Sequence, residues 1–215
     1  MITAALVHGH PGADGHLPGT TRGASNTKVT EAPPELLDVP DGRLSRIRES
    51  DAGELARAVG ASLDHLRPWM PWATEAAAER QAQREHCRAA EKSWDSGSDY
   101  VYVLRPELSA QVIGCFGLHR RIGPGALEIG YWVHVDFTGR GYATACTRAV
   151  TQAALALPGV TRVEVHTDEA NTISAAIPRR LGYRLDRVDE RPPDAPAESG
   201  RLQIWVTTRL VRCSV

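Results

Sequence analysis

From Arg43 onward, apolar and polar positions fall into short periodic runs separated by glycine- and proline-rich turns, and the order of those runs predicts the fold. Arg43–Arg48 alternates around Leu44 and Ile47, the pattern of a strand. Ser50 or Asp51 can cap a helix to about Leu63, because Leu55, Val59 and Leu63 recur at every fourth position. In LRPWMPWA, Pro68 and Pro71 forbid a helix interior and hold Trp69 and Trp72 in a loop. Thr74 is positioned to cap a long helix, with Glu75 in its first turn, running to about Ser96, where Ser-Gly-Ser ends it.

The second half alternates strands with helices. Tyr100–Leu104 and Val112–Leu118 are expected strands around a turn at Pro106. Gly123-Pro124-Gly125 turns the chain into a third, Leu127–Val135. Thr144–Leu157 presents Cys146, Val150, Ala153 and Leu157 on one helical face and closes at Pro158-Gly159. Arg162–Thr167 alternates through Val163 and Val165. Asn171–Leu181 reads as a helix with Gly182 at its C-terminal cap position, and Pro178 should kink it. Tyr183–Val188 and Leu202–Leu210 are the last strands, on either side of RPPDAPAESG. A meander followed by strand–helix–strand units implies one α/β (α+β) domain with a mixed central sheet of about seven strands and helices on both faces.

Residues 1–38 show no such periodicity. They are expected to be a disordered tail, leaving 39–215 as the domain. The tail's His8, His10 and His16 have no carboxylate or cysteine beside them, so no metal site is expected there.

Composition narrows the possibilities by exclusion. The 215 residues are 42% apolar and 24% charged, the mix of a globular chain that can bury a core. Net charge is −1, which gives no support to a nucleic-acid or membrane-surface binder. Only Lys28 and Lys92 are lysines, so the remaining 23 basic residues are arginines, a compositional bias rather than a basic patch. Cys87, Cys115, Cys146 and Cys213 lie far apart, without zinc-ligand spacing, and read as buried thiols of a reducing compartment. No apolar run approaches the roughly 18 residues of a membrane span, and the first residues lack the pattern of an export signal. A cytoplasmic protein is expected.

The chemistry concentrates in LEIGYWVHVDFTGRGYAT, Leu127–Thr144. An apolar strand leads into Gly139-Arg140-Gly141-Tyr142-Ala143, which opens a helix. Glycines let consecutive backbone N–H groups converge, and the helix N-terminus adds partial positive charge, so the turn suits a pyrophosphate. It is neither a Walker A loop, which needs G-x-x-x-x-G-K-[ST], nor a dinucleotide fingerprint, whose last position is Thr144 here. EIGYWV, GRGYAT, Asn171-x-x-Ser174, RRLGYR and LRPWMPW, in that context, resemble the GNAT superfamily of acyl-CoA-dependent N-acyltransferases, and within it the RimJ/RimL branch. The resemblance covers roughly Arg43 to Leu210.

That resemblance implies acetyl-CoA as donor, its pyrophosphate on the amides of Gly139, Arg140, Gly141, Tyr142 and Ala143, and no metal. It implies that the Tyr131–Val133 backbone pairs with the pantetheine arm, that the Val133 amide polarises the thioester carbonyl, and that Asn171 contacts the arm. The family's loop usually begins with Gln or Arg; Thr138 stands there in this chain. Many members carry a tyrosine seven residues after the asparagine as general acid; here that position is Pro178, and Tyr183 does not replace it. The branch's alternative puts the Ser174 hydroxyl at the leaving thiolate. Glu128 is the expected general base. No cysteine precedes the loop in the motif, so direct attack in a ternary complex is expected rather than an acetyl-enzyme.

Trp69 and Trp72 are candidates for the acceptor cleft, and Glu75, Glu79 and Glu85 could make it acidic if their helix faces it. His119, His134 and His166 lie at strand ends, where a catalytic histidine is one reading and an ordinary core or surface histidine the commoner one. The expected partner is a primary amine, either a peptide N-terminus or a small molecule, with no nucleic acid and no membrane; a homodimer is compatible with the resemblance. Two other readings stand beside this one: a non-catalytic acyl-CoA-binding module, favoured by Pro178, and transfer of another acyl group such as succinyl, which would need an arginine at the acyl terminus.

Overall fold

A computed structural model of the chain describes residues 32–209. The strands are β1 (Leu36–Val39), β2 (Gly42–Arg46), β3 (Asp99–Pro106), β4 (Gly114–His119), β5 (Ala126–Val133), β6 (Arg162–Asp168), β7 (Arg184–Glu190) and β8 (Arg201–Thr207). The helices are α1 (Ala52–Leu66), α2 (Arg80–Ser96), α3 (Tyr142–Leu155) and α4 (Thr172–Arg180). All eight strands form one sheet in the order β1-β2-β3-β4-β5-β6-β8-β7. Pairing is antiparallel except between β5 and β6, which run parallel.

The sheet thus has one strand more than the expected seven or so. The additional strand is β1, whose first three residues, Leu36 to Asp38, the sequence pattern assigns to the tail. Four residues are too few to show a period, and β1 exists because β2 pairs with it along its whole length. Tyr102 on β3 adds a hydrogen bond from its hydroxyl to the Pro34 carbonyl (2.9 Å), and Glu35 meets Arg46 at 2.9 Å and Arg48 at 2.7 Å. The boundary at residue 38 is therefore too late; residues 1–31 of the expected tail lie outside the described part, as does Cys213.

A second correction concerns the long helix from Thr74. The Thr74 hydroxyl accepts from the Ala77 amide (3.2 Å), but the element that follows is a single 3-10 turn, Ala76–Ala78, with Glu75 at its N-cap position. Glu79 is extended (φ −71°, ψ 140°), and α2 starts only at Arg80. Gly97 in the left-handed region (φ 74°) then ends α2 where expected. Pro178 falls in the last turn of α4, where it removes the bond to the Ser174 carbonyl two residues before the helix stops.

Successive side chains of a strand face opposite sides of its sheet, and β5 shows which helices lie where. Trp132 meets Trp72 in the α1–α2 connection (ring centroids 6.3 Å), whereas its neighbour Tyr131 meets Ser174 on α4. The α1–α2 pair therefore covers one face and the α3–α4 pair the other. The core runs through both layers: Leu55, Val59 and Leu66 of α1, Trp94 of α2 edge-on to Tyr100 and Tyr102, and Cys146 and Val150 of α3 are all buried. No helix among the described residues is long and apolar enough to cross a membrane.

Candidate active site

The sheet splits at its centre. β5 and β6 pair only at Ala126–Arg162, Leu127–Val163 and Glu128–Glu164. Beyond that point β5 stays with β4 as far as Val133, and β6 stays with β8 as far as Asp168, so the two strands part into a wedge. Backbone groups of alternate residues point to alternate edges of a strand. The His134 N–H donates to the Ile113 carbonyl on the β4 side (2.8 Å), so even-numbered residues of β5 use that edge. Ile129, Tyr131 and Val133 then turn their N–H and C=O groups toward the wedge, where no strand among the described residues pairs with them. An extended ligand arm can add there as a strand would.

The chain leaves β5 through a 3-10 turn, Val135–Phe137, and enters α3 at the Gly139–Ala143 loop. Gly139 and Gly141 both take positive φ (73° and 83°), a conformation that L side chains rarely adopt. A Cβ built on either would meet nothing within 4 Å, so the space in front of the loop is open. Gly141 is the N-cap residue of α3, and no side chain caps that helix. Among the described residues nothing caps its first amides, and an anion would suit them by charge and by geometry. α4 contrasts with it, for the Asn171 side-chain oxygen accepts from the Ser174 amide (3.2 Å) and closes that terminus.

The side chains of the loop are committed elsewhere. The Tyr142 hydroxyl donates to the Asp41 carbonyl (3.2 Å), tying α3 to the β1–β2 turn. Arg140 folds back over Phe137 (4.9 Å to the ring centroid) and donates to the Asp136 carbonyl.

Glu128 stands at the vertex of the wedge, buried, and Arg121 grips it with two nitrogens at 2.8 and 2.7 Å. Burial alone would raise its proton affinity, but the Arg121 hydrogen bonds, then the charges of His166 and Arg121, outweigh that and leave the carboxyl below its usual range. It is thus a poorer proton acceptor than an isolated glutamate. His166, on β6 two residues past the last β5–β6 pair, has Nδ1 at 3.8 Å from Glu128 and Nε2 at 2.7 Å from Glu164. Glu164 also takes a bond from Arg162 (2.8 Å). Arg121 and Glu164 were not legible as site residues, and His166 was weighed only as one of three strand-end histidines. The signal was alternation: Glu164 and His166 share a face of β6, as Glu128 and Trp132 share a face of β5.

Trp72 reaches this face through Trp132; Trp69, half-buried, packs against the core. On the opposite face Ser174 is fully buried, its oxygen 3.3 Å from the Tyr131 hydroxyl. The Tyr183 hydroxyl is hydrogen-bonded to Thr151 (2.6 Å). His119 bonds toward Asp99 (3.2 Å), and the ring nitrogen of His134 accepts from the Asp136 amide. Cys87, Cys115 and Cys146 are buried free thiols, and burial pushes the Cys87 thiol up to about 12. Among the described residues no group of three or more His, Cys, Asp or Glu could hold a metal ion.

Comparison with known proteins accords with this geometry. The fold overlays that of RimL, a ribosomal L7/L12 alpha-N-protein acetyltransferase in complex with coenzyme A, with a TM-score of 0.74 and 18% identity, over 83% of this chain and 100% of that one. Mycobacterium smegmatis RimJ, in complex with a CoA-disulfide, gives 0.70 at 22% identity, covering 80% and 85%. The microcin C7 self-immunity acetyltransferase MccE, in complex with acetyl-CoA and AMP, gives 0.71 at 16% identity, covering 79% and 93%. No curated protein sequence matches. The sequence model of the acetyltransferase (GNAT) domain matches residues 43–184, and with the wedge between β5 and β6 and the uncapped glycine turn before α3 already in view, the chain belongs to that family.

Proposed function

We propose that this protein transfers the acetyl group of acetyl-CoA to a primary amine, a peptide N-terminus or a small molecule, by direct attack. The observation that carries the reading is the run from the free inner edge of β5 to the uncapped amides of α3, a continuous backbone surface for an extended arm ending in phosphates. The pyrophosphate sits on the amides of Gly139 to Ala143, the arm lies along Ile129–Val133 beside Asn171, and the Val133 N–H polarises the thioester carbonyl.

The two faces of β5 divide the work. On the α1–α2 face, Glu128 draws in and orients the acceptor's ammonium, between the walls made by Trp72 and Trp132. On the α3–α4 face, the Ser174 hydroxyl, oriented by Tyr131, hydrogen-bonds the sulfur as the thiolate leaves. Arg121 is held by Glu128 and Arg162 by Glu164, which supports acetyl over an acyl group with its own carboxylate.

The test is release of free CoA from acetyl-CoA in the presence of short peptides with free N-termini, polyamines and aminonucleotides, with the products weighed by mass spectrometry. An acceptor gaining 42 Da supports the reading, that being one acetyl group in place of one hydrogen. Tight acetyl-CoA binding with no turnover on any amine would make the protein a binding module instead.

A further inference from the structure

Glu128 is held too firmly by Arg121 to be the strongest proton acceptor at the wedge, and the group beside it has a different arrangement. His166 stands between two carboxylates, with Glu164 on Nε2 at 2.7 Å and Glu128 facing Nδ1 at 3.8 Å. A carboxylate can only accept, so the hydrogen on the short contact belongs to Nε2. That tautomer leaves the lone pair on Nδ1. Its separation from Glu128 is longer than a hydrogen bond, so a donor's proton can enter between them. Arg162, on the other oxygen of Glu164, fixes the carboxylate that fixes the ring. The same logic orients the imidazole of a Ser-His-Asp triad, where the carboxylate sets the tautomer and stabilises the imidazolium.

We propose that His166 is the proton acceptor for the amine, with Glu164 as its positioning residue. This rests on the acetyl-transfer reading and deepens it. The acceptor arrives as R–NH₃⁺ against Glu128 and gives one proton to Nδ1. The freed lone pair attacks the thioester carbon, the C–N bond forms and the C–S bond breaks. The amide nitrogen then sheds its second proton, CoA leaves as the thiol with one proton, and the imidazolium returns the other to solvent. Histidine suits the task because imidazole ordinarily titrates near neutral pH, and His166 is 13% exposed, enough to be reached and to exchange protons.

The charged groups around the ring can be named element by element. β5 and the turn before it bring Glu128 and Arg121, β6 brings Glu164 and Arg162, and Arg187 on β7 acts on Glu164 through its charge. His119, from β4, acts on Glu128. β8 presents apolar Ile204 opposite His166 in the register. Two carboxylates thus face the ring directly, and the arginines nearest it are spent on those carboxylates.

Two measurements test this. In the wild-type protein, ¹⁵N–¹H correlation spectra of the imidazoles, assigned by loss of the signal in His166→Gln, should show His166 with its neutral proton on Nε2. A neutral Nδ1–H tautomer overturns the proposal without reference to activity. In turnover, His166→Gln should lower kcat on the order of 10²–10⁴-fold at neutral pH, the usual cost of losing a general base. Acetyl-CoA affinity should stay within twofold. The lost rate should return as pH rises toward the acceptor's own pKa, and added imidazole should restore part of it. Glu164→Gln keeps an acceptor oxygen for Nε2 and should show a smaller loss with a displaced acidic limb. A folded His166→Gln enzyme with kcat within threefold of wild type from pH 6 to 9 refutes the assignment, and if that variant does not fold the tautomer measurement decides alone. Failure of the wild-type enzyme to acetylate any amine, with the Nε2–H tautomer found, strikes the underlying reading and not the geometry of His166.

Discussion

Substituting Gly141 with valine separates the cofactor turn's strain from its function. Gly141 has φ 83° and ψ −9°, so an L residue there costs about 1–2 kcal/mol in backbone strain. No atom lies within 4 Å of the added Cβ, so steric conflict within the protein adds nothing to that. For a domain of this size the strain translates into a fall in Tm of about 2–8 °C. The new side chain does fill the space in which a pyrophosphate would approach the first amides of α3. Loss of one or two hydrogen bonds to a charged group, at about 1.5–3 kcal/mol each, should weaken acetyl-CoA binding by about 10- to 10³-fold or more. Gly159, after α3, is the control, since it has φ 75° and the same open surroundings but lies at the other end of the helix. Gly159→Val should show a similar fall in Tm and an unchanged Kd. Calorimetric titration with acetyl-CoA, alongside thermal melts of both variants, reads the two effects apart. A folded Gly141→Val protein that binds acetyl-CoA within twofold of wild type would falsify the assignment of this turn to the cofactor.

Glu128→Gln leaves the buried side of Arg121 facing an uncharged amide, which should cost about 2–4 kcal/mol in denaturant unfolding and raise the acceptor's KM, with acetyl-CoA affinity unchanged. Because the Glu128 carboxyl titrates below 4.5 in the folded protein, its pairing with Arg121 contributes fully above that value and is lost as pH falls below it. His86 works in a higher window: burial lowers its pKa from 6.5 to about 4, so the unfolded chain binds the extra proton first and stability falls as pH drops from 6.5 to 4. That loss amounts to roughly 3 kcal/mol at most, and chemical melts of His86→Gln should show a flatter profile across the same window. Ser174→Ala removes the hydroxyl partner of Tyr131 and should lower kcat by about tenfold while leaving the acidic limb of the pH–rate profile in place. A chain beginning at Val39 should melt several degrees below one beginning at Ala32, because it loses β1, the Tyr102–Pro34 bond and the Glu35 ion pairs.

The amino-acid pattern by itself was enough for the elements after Arg43, because each depends on neighbours in the chain. Leu55, Val59 and Leu63 make α1 amphipathic wherever it packs, Gly97 and Gly182 end helices through their own φ, and Gly139 and Gly141 mark an open turn at the start of α3 by what their missing side chains allow. Short elements that exist only through a partner were not legible. β1 needs β2, and at the interruption around Glu79 the Gln83 side chain reaches back to the Ala77 carbonyl (2.7 Å). At the site, the stretch Leu127–Thr144 announced the backbone surface, since strand, turn and helix are consecutive there. The wedge itself was decided by tertiary structure, because β5 and β6 are separated by all of α3 and only their register tells where they part. The same holds for the protons. Glu128, Arg121, Glu164 and His166 come from two strands and a turn, and whether a carboxylate is free or gripped, and which nitrogen of a histidine carries hydrogen, depend on distances of a few ångströms across the sheet, which no local pattern encodes.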